Sequence, residues 1–198
     1  MSRRALTAVL AAAVGLAAAG CGIPDDSQAR GLPRNDVPFD LLASEPVAMT
    51  TTTVPSVPVD VTVFFVDAGH LVPVTRKVES PATPDKALRA LILGPTPAEA
   101  RKGYRTAIGR STTVLSANMG EGGIAVIDVT NSFHVGSQPD TILAAAQMVY
   151  TATAFGEVRG VKFTLEGERA NIYQGDGVQT SLPVGRVTYS SLAPLSGG

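Results

Sequence analysis

Few residues of this chain have side chains that could perform catalysis or bind a metal ion. His70 and His134 are the only histidines among the 198 residues. His70 stands close to Asp67, but a zinc site there would need further ligands from distant parts of the chain. We therefore interpret both histidines as turn or loop residues, with a metal site as the alternative, and we predict neither a metal nor a cofactor.

Carboxylates beside glycines are the next candidates, as general acids or bases. Glu121, Glu166 and Glu168 each adjoin a glycine, which is more typical of a solvated turn than of a catalytic site. The sequence has no G-x-S-x-G pattern, and the glycines at 120, 122 and 123 lack the lysine and helix of a phosphate-binding loop. We predict that the chain is not an enzyme.

Asp128 is the acidic residue that most invites a specific interpretation. It lies inside an apolar stretch that reads as a strand, where alternation places it on the same face as Val126 and opposite Ile127 and Val129. That face looks outward, or Asp128 bonds the loop at residues 130–132. We favour a structural role, with ligand binding as the alternative.

Cys21 is the only cysteine and lies at the end of an apolar N-terminal segment. Arg3 and Arg4 precede a run of apolar residues, 5–19, that is too short to span a bilayer comfortably. Residues 16–21 are similar to a bacterial lipobox, although Ala18 stands where leucine is usual. We predict a signal peptide at 1–20 and a lipid anchor on Cys21, such as palmitate, that holds the chain on the extracytoplasmic face of the cell membrane. An unmodified cysteine after an ordinary signal peptide is the alternative.

Residues 21–58 read as the lipidated cysteine followed by a Pro/Thr-rich tether. Prolines recur along this stretch, Thr50 to Thr53 is of low complexity, and no apolar periodicity runs through it. The whole chain carries 16 basic and 17 acidic residues, so no basic excess indicates a nucleic-acid partner. Hydrophobic residues at 44% indicate a globular core in the remainder.

A helix between Ser80 and Pro97 organises the predicted domain, because both its start and its end are specified locally. Thr83 can cap the first turn, and Pro84 suits the first helical position. Gly94 can adopt the left-handed conformation that ends a helix, and the proline after it prevents continuation. The apolar stripe of this helix comprises Ala87, Leu88, Leu91 and Ile92.

The remaining patterns predict two hairpins, a second long helix and a further strand. Their order, ββαββαβ, favours an α+β fold in which two helices pack on one mainly antiparallel sheet. We place this domain at residues 59–192 and a flexible tail at 193–198. The expected elements are strands at 59–66, 71–78, 113–119, 123–130 and 161–165, a short helical piece at 98–104, a helix from Ser137 to about Phe155, a short return strand at 170–173, and a final strand or ordered arm at 184–192.

Several of these stretches together resemble the GerMN domain, which is named for a sporulation and germination protein. The resemblance covers about residues 59–177, and Ile108 to Thr112 departs from it where the family more often has a Pro-Gly turn. It implies an assembly module of envelope machines and supplies no catalytic residues. The matching segments are 61–66, the helix at 80–96 with its Gly-Pro-Thr exit, 126–133, 147–153 and 161–167.

The sequence therefore favours a membrane-anchored, non-catalytic module that binds a protein of the cell envelope. We expect the partner surface on the sheet edge at 71–78 or on the exposed side of the hairpin at 113–130, because unpaired strand edges invite strand addition. A binder of a small ligand or of cell-wall glycan is the alternative. An envelope hydrolase is the least favoured reading.

Overall fold

The computed structural model describes residues 57–134 and 136–195, and its first element is a long β-hairpin. Strand β1, Pro58–Asp67, pairs with strand β2, His70–Glu79, in an antiparallel register. Ala68 and Gly69 form the turn, and both have a positive φ. The hairpin confirms the expected pair of strands and makes each one slightly longer.

Helix α1, Pro84–Ile92, forms as its local signals predict. The Thr83 side chain accepts a hydrogen bond from the backbone N–H of Lys86 over 3.3 Å, which satisfies one free donor of the first turn. Gly94 has a φ of 78° and ends the helix. Three residues of the apolar stripe, Ala87, Leu88 and Leu91, are fully buried.

A short helix and the second hairpin come next. Helix α2, Pro97–Arg101, begins with a capping box between Thr96 and Glu99. Strand β3, Val114–Met119, and strand β4, Ile124–Val129, pair antiparallel, as expected.

Helix α3, Gln138–Ala152, and strand β5, Gly160–Leu165, give the second half of the fold a parallel pair. β5 pairs parallel with β4 along its whole length, because the helix between them carries the chain back to the same end of the sheet. Strand β6, Glu168–Arg169, then returns antiparallel beside β5. The α+β class is confirmed, but the strands in the described part of the chain form three separate sheets instead of the single sheet that we expected.

Two short strands precede the last segment of the domain, which is an ordered arm and not a strand. Strands β7, Ile172–Tyr173, and β8, Gln179–Thr180, form a small pair of their own. The segment at 186–192 is a pair of 3-10 turns held by Tyr189, whose side chain is fully buried and donates to the carbonyl of Tyr173 over 2.9 Å.

Helices α1 and α3 join the first hairpin to the larger sheet. They contact each other, and both contact β1; α1 also contacts β3, and α3 contacts β5. The core between them is built from aliphatic residues with a few aromatic rings, such as Phe65 and Phe163. This arrangement buries nearly all of α3, which the sequence indicated by its broadly apolar composition.

Two polar side chains of α3 nevertheless point into this core, where they bind the backbone of β1. Nε2 of the buried Gln147 donates to the carbonyl of Phe64 over 2.8 Å, and Thr151 accepts the N–H of Phe64 over 3.1 Å. Oε1 of Gln147 also accepts the N–H of Ala107 over 2.8 Å. We call Gln147 and Thr151 the Phe64 clamp. They lie one helical turn apart, and so they reach the same residue of β1.

The clamp and the chain after α2 together close the outer edge of β1. The backbones of Val66 and Arg105 exchange two hydrogen bonds of 2.8 Å. Towards the start of β1, the clamp takes the place of a neighbouring strand at Phe64. Buried backbone groups need such partners because leaving one unpaired costs about 1–3 kcal/mol.

We predict that Gln147→Leu lowers the free energy of unfolding by about 3 kcal/mol, because it leaves the Phe64 carbonyl and the Ala107 N–H without partners. Chemical denaturation of the full chain measures this change. Gln138→Leu is the matched control, since Gln138 lies at the exposed start of the same helix and makes one hydrogen bond, of 3.2 Å, to the Gly177 carbonyl. An equal loss in both variants would contradict the clamp.

Candidate functional site

The residues with catalytic or metal-binding side chains do not come together in the part of the chain that the structure describes. His70 begins β2 and pairs with Asp67 across the turn, and His134 ends a short 3-10 helix, Asn131–His134. Within residues 57–134 and 136–195, no three His, Cys, Asp or Glu residues could hold one metal ion. Cys21 lies outside the described residues.

Asp128 stabilises a turn. One of its carboxylate oxygens accepts the hydroxyl of Thr164 over 2.8 Å and the backbone N–H of Gly167 over 2.9 Å. Gly167 has a φ of 85°, so this contact fixes the left-handed turn between β5 and β6. These contacts support the structural interpretation, but the alternative in which Asp128 bonds the loop at 130–132 was wrong. The loop at 130–132 bonds the carbonyl of Ser111 instead.

The glutamates that we considered as acids or bases lie at two turns, one between β3 and β4 and the other between β5 and β6. Glu121 is exposed in the turn between β3 and β4, and Glu168 is exposed in β6. Glu166 accepts the backbone N–H of Asn131 over 3.3 Å at the turn beyond β5. These positions support their interpretation as turn residues. Among the described helices, none has the length and apolarity of a membrane span.

The outer edge of β2 is one feature that could bind another molecule. The sheet formed by β1 and β2 has two strands, and β1 is closed on its other side by α3. Both backbone groups of Phe64 point away from β2, so those of its register partner Pro73 must point away from β1. By the same alternation, Thr75, Lys77 and Glu79 direct their backbone groups to this outer edge.

Most of this edge is protected from pairing with an added strand. Pro73 has no N–H to donate, and the carbonyl of Thr75 accepts a hydrogen bond from Arg76 over 3.2 Å. The carbonyl of Glu79 accepts Nζ of Lys86 over 2.9 Å. Lys77, which lies between Thr75 and Glu79, directs its N–H and C=O groups to the same outer edge of β2. Within the surface that we expected at 71–78, only the last few residues can therefore pair with an added strand.

A groove runs between this end of β2 and helix α1. Its volume is about 380 Å³, and it is mostly apolar. The helical residues in it follow the spacing of one helix face, three or four residues apart. Leu93, which caps the helix, is 86% exposed at its border. We call this the β2–α1 groove; its lining residues are Lys77, Val78, Glu79, Lys86, Arg89, Ala90 and Leu93.

The charged residues of the groove are mostly cations. Lys77 pairs with Asp60 over 2.9 Å, and Arg89 pairs with Asp85 over 2.7 Å, both at solvent-exposed positions. Lys86 has no such carboxylate partner among the described residues. Its ammonium group donates to two carbonyl oxygens, those of Glu79 and Pro81. Because an ammonium group has three donors, one donor of Lys86 remains.

An ion pair joins β2 to α2 near the exit of α1. Arg76 makes two hydrogen bonds to Glu99, of 2.8 and 2.6 Å, and its guanidinium lies 5.1 Å from the ring centre of Phe65. Arg76 also reaches the carbonyl of Gly94 over 3.5 Å. The hydrogen bonds from Arg76 lower the pKa of Glu99 to about 2, although burial opposes the shift. Beyond the unlike charges of its two members, no sequence pattern indicates this pair.

The second expected surface, the hairpin of β3 and β4, offers less edge for a partner. β3 has six residues, and its register shifts between Val114 and Ser116. The carbonyl of Leu115 already accepts a hydrogen bond from Arg89 over 3.2 Å. Such a bulge and such a capped carbonyl disfavour strand addition.

Comparisons with known proteins agree with this fold. The model of the family Germane, described as "Sporulation and spore germination", matches residues 62–171, more than half of the chain. Among solved structures, the tandem GerMN domains of the sporulation protein GerM from Bacillus subtilis share 22% identity with a TM-score of 0.55. The alignment covers 66% of this chain and 47% of that one, so the chain spans about half of the tandem structure.

A second structure, the first GerMN domain of the same Bacillus subtilis protein, is 23% identical with a TM-score of 0.43. The alignment with this structure covers 56% of the present chain and 84% of the GerMN domain structure. No curated relative matches the chain.

We predict that Glu99→Gln destabilises the chain at neutral pH by about 2 kcal/mol, through loss of a charge-assisted pair. The folded-state pKa of Glu99 lies below its ordinary value of 4.5, so the unfolded state binds the proton more readily. The stabilisation is therefore complete above about pH 4.5 and is lost as the pH falls towards about 2.

Urea unfolding from pH 7 down to pH 3 measures this dependence. The difference between wild type and Glu99→Gln should shrink over the acidic part of that range. Glu121→Gln, at an exposed turn, serves as the control. A difference that stays constant with pH would refute the role of the ion pair.

Proposed function

The chain belongs to the Germane family, and on that premise we propose that it is a lipid-anchored protein whose GerMN-like domain binds other proteins of the cell envelope without performing catalysis. The observation that carries the binding proposal is the β2–α1 groove beside the open end of β2. A groove of this kind offers apolar contact and hydrogen-bonding backbone together.

The anchoring proposal rests on Cys21 and the sequence around it. The positive Arg3 and Arg4, the apolar run after them and the small residues before Cys21 support acylation of the thiol. Two acyl chains are needed for stable attachment, since a single chain binds a bilayer only marginally. On this proposal the tether at 21–58 separates the domain from the lipid surface.

A second candidate function, binding of a small ligand or of cell-wall glycan, is favoured by another groove. It has a volume of about 500 Å³, adjoins the exit of α1 and is lined on one side by Thr106 and Arg110. Polar side chains and a cation suit a polar ligand. An increase in melting temperature with soluble wall fragments, absent in Arg110→Ala, would favour this function over protein binding.

The anchor is tested by fractionating cells that express the chain with and without Cys21→Ala. Wild type should sediment with membranes and incorporate a palmitate analogue, because the thiol is the acylated group. Cys21→Ser should behave like Cys21→Ala, since neither offers a thiol. Equal membrane recovery and equal labelling of all three forms would contradict the proposed anchor.

The binding proposal is tested by chemical crosslinking in intact cells, followed by mass spectrometry of the recovered complexes. We expect an envelope protein whose crosslinks map to residues 77–93 of this chain and whose recovery falls in the Cys21→Ala form. Crosslinks spread evenly over the domain, or none beyond those of an unrelated lipoprotein, would count against an interaction module.

A further inference from the structure

We propose that the β2–α1 groove binds an extended protein segment in which an apolar side chain lies next to a carboxylate. This inference rests on the proposed function and specifies the chemistry of the partner. Three features of the groove lead to it: a strand backbone, an apolar surface and a cation with a remaining donor. Each feature requires a different part of the bound segment.

The exposed backbone groups of β2 are the reason why we expect the bound segment to be extended. Alternation along the hairpin directs the N–H and C=O groups of Lys77 away from β1 and towards the groove. An extended segment can pair with these two groups as a short added strand. Pro73 and the occupied carbonyl of Thr75 prevent the pairing from running further along β2. The segment is therefore held over a few residues only.

The apolar surface accounts for the hydrophobic side chain. Val78 contributes from the strand, and Ala90 and Leu93 contribute from the helix. Leu93 is 86% exposed, and covering a leucine side chain is favourable because it removes apolar surface from water. A valine or leucine of the bound segment would cover Leu93 and fill the space beside Ala90. This contact needs no rearrangement of α1, whose opposite face is fixed in the core.

Lys86 accounts for the carboxylate. Its ammonium group is held between the carbonyls of Glu79 and Pro81, at 2.9 and 3.0 Å, which fixes its position in the groove. The remaining donor can form a charge-assisted hydrogen bond with an aspartate or glutamate of the segment. Lys77 and Arg89 add positive potential, although their own carboxylate partners weaken it. A neutral amide at the same position would bind less tightly.

The test measures binding of three blocked fluorescent peptides to the purified full chain in detergent, by fluorescence anisotropy. The first peptide is Ser-Thr-Leu-Asp-Val-Thr-Ser. The second replaces its aspartate with asparagine, and the third replaces its leucine and valine with serine. We expect the first to bind about tenfold more tightly than the second, which is the effect of one charge-assisted hydrogen bond. The third should bind most weakly.

Variants of the chain assign these differences to the groove. Lys86→Gln should remove most of the preference for aspartate over asparagine, and Lys86→Arg should restore most of it. Leu93→Asp should weaken binding of the first two peptides without unfolding the chain, because Leu93 is exposed to solvent. Val187→Asp is the matched control, because Val187 is 88% exposed and lies outside the groove.

Several results would overturn the proposal. One is the absence of binding by the first peptide at millimolar concentration. Another is equal binding of the first and third peptides together with displacement by inorganic phosphate, which would indicate a simple anion site, such as one for a lipid headgroup. A third is binding that neither Lys86→Gln nor Leu93→Asp alters. None of these results affects the palmitate labelling of Cys21, so failure of this inference and failure of the proposed anchor are distinguishable.

Discussion

The structure depends on how the outer edge of β1 is satisfied. The backbone groups on both edges of a strand at the centre of a domain need hydrogen-bond partners. At Phe64, side chains of helix α3 supply the partners that a neighbouring strand would otherwise supply. Gln147 and Thr151 bind the carbonyl and the N–H of Phe64 inside the core. Once α3 is fixed in this way, β1 has partners on both sides, and the other strand of the hairpin is left with the open edge.

The proposed binding surface follows from that asymmetry. Among the described strands, only β1 pairs with β2, and α1 packs close to the end of β2, so a groove forms between a strand edge and a helix face. Arg76 joins β2 to α2 through Glu99 and contacts the Gly94 carbonyl at the exit of α1, next to the exposed Leu93. The same contacts that stabilise the hairpin therefore determine which part of its edge is available.

How much could be predicted from the sequence depended on the distance over which each signal acts. Helix α1 was predicted because its cap, its apolar stripe and its terminating glycine all lie within a few residues. The parallel pairing of β4 with β5 was missed, since strand order depends on how α3 packs. The Phe64 clamp joins residues more than eighty positions apart, and its signal was only two polar residues one turn apart in an apolar helix. The groove was missed for the same reason, although the edge beside it was expected.

Hydrogen exchange of individual backbone amides in the full chain tests this account most directly. The account predicts that the N–H of Phe64, bound to Thr151 in the core, exchanges at least a hundredfold more slowly than the N–H of Lys77, which faces the groove. That ratio corresponds to about 2.7 kcal/mol in the free energy of opening. Equal protection of the two amides would contradict the account, because β2 would then have no open edge for a partner to bind.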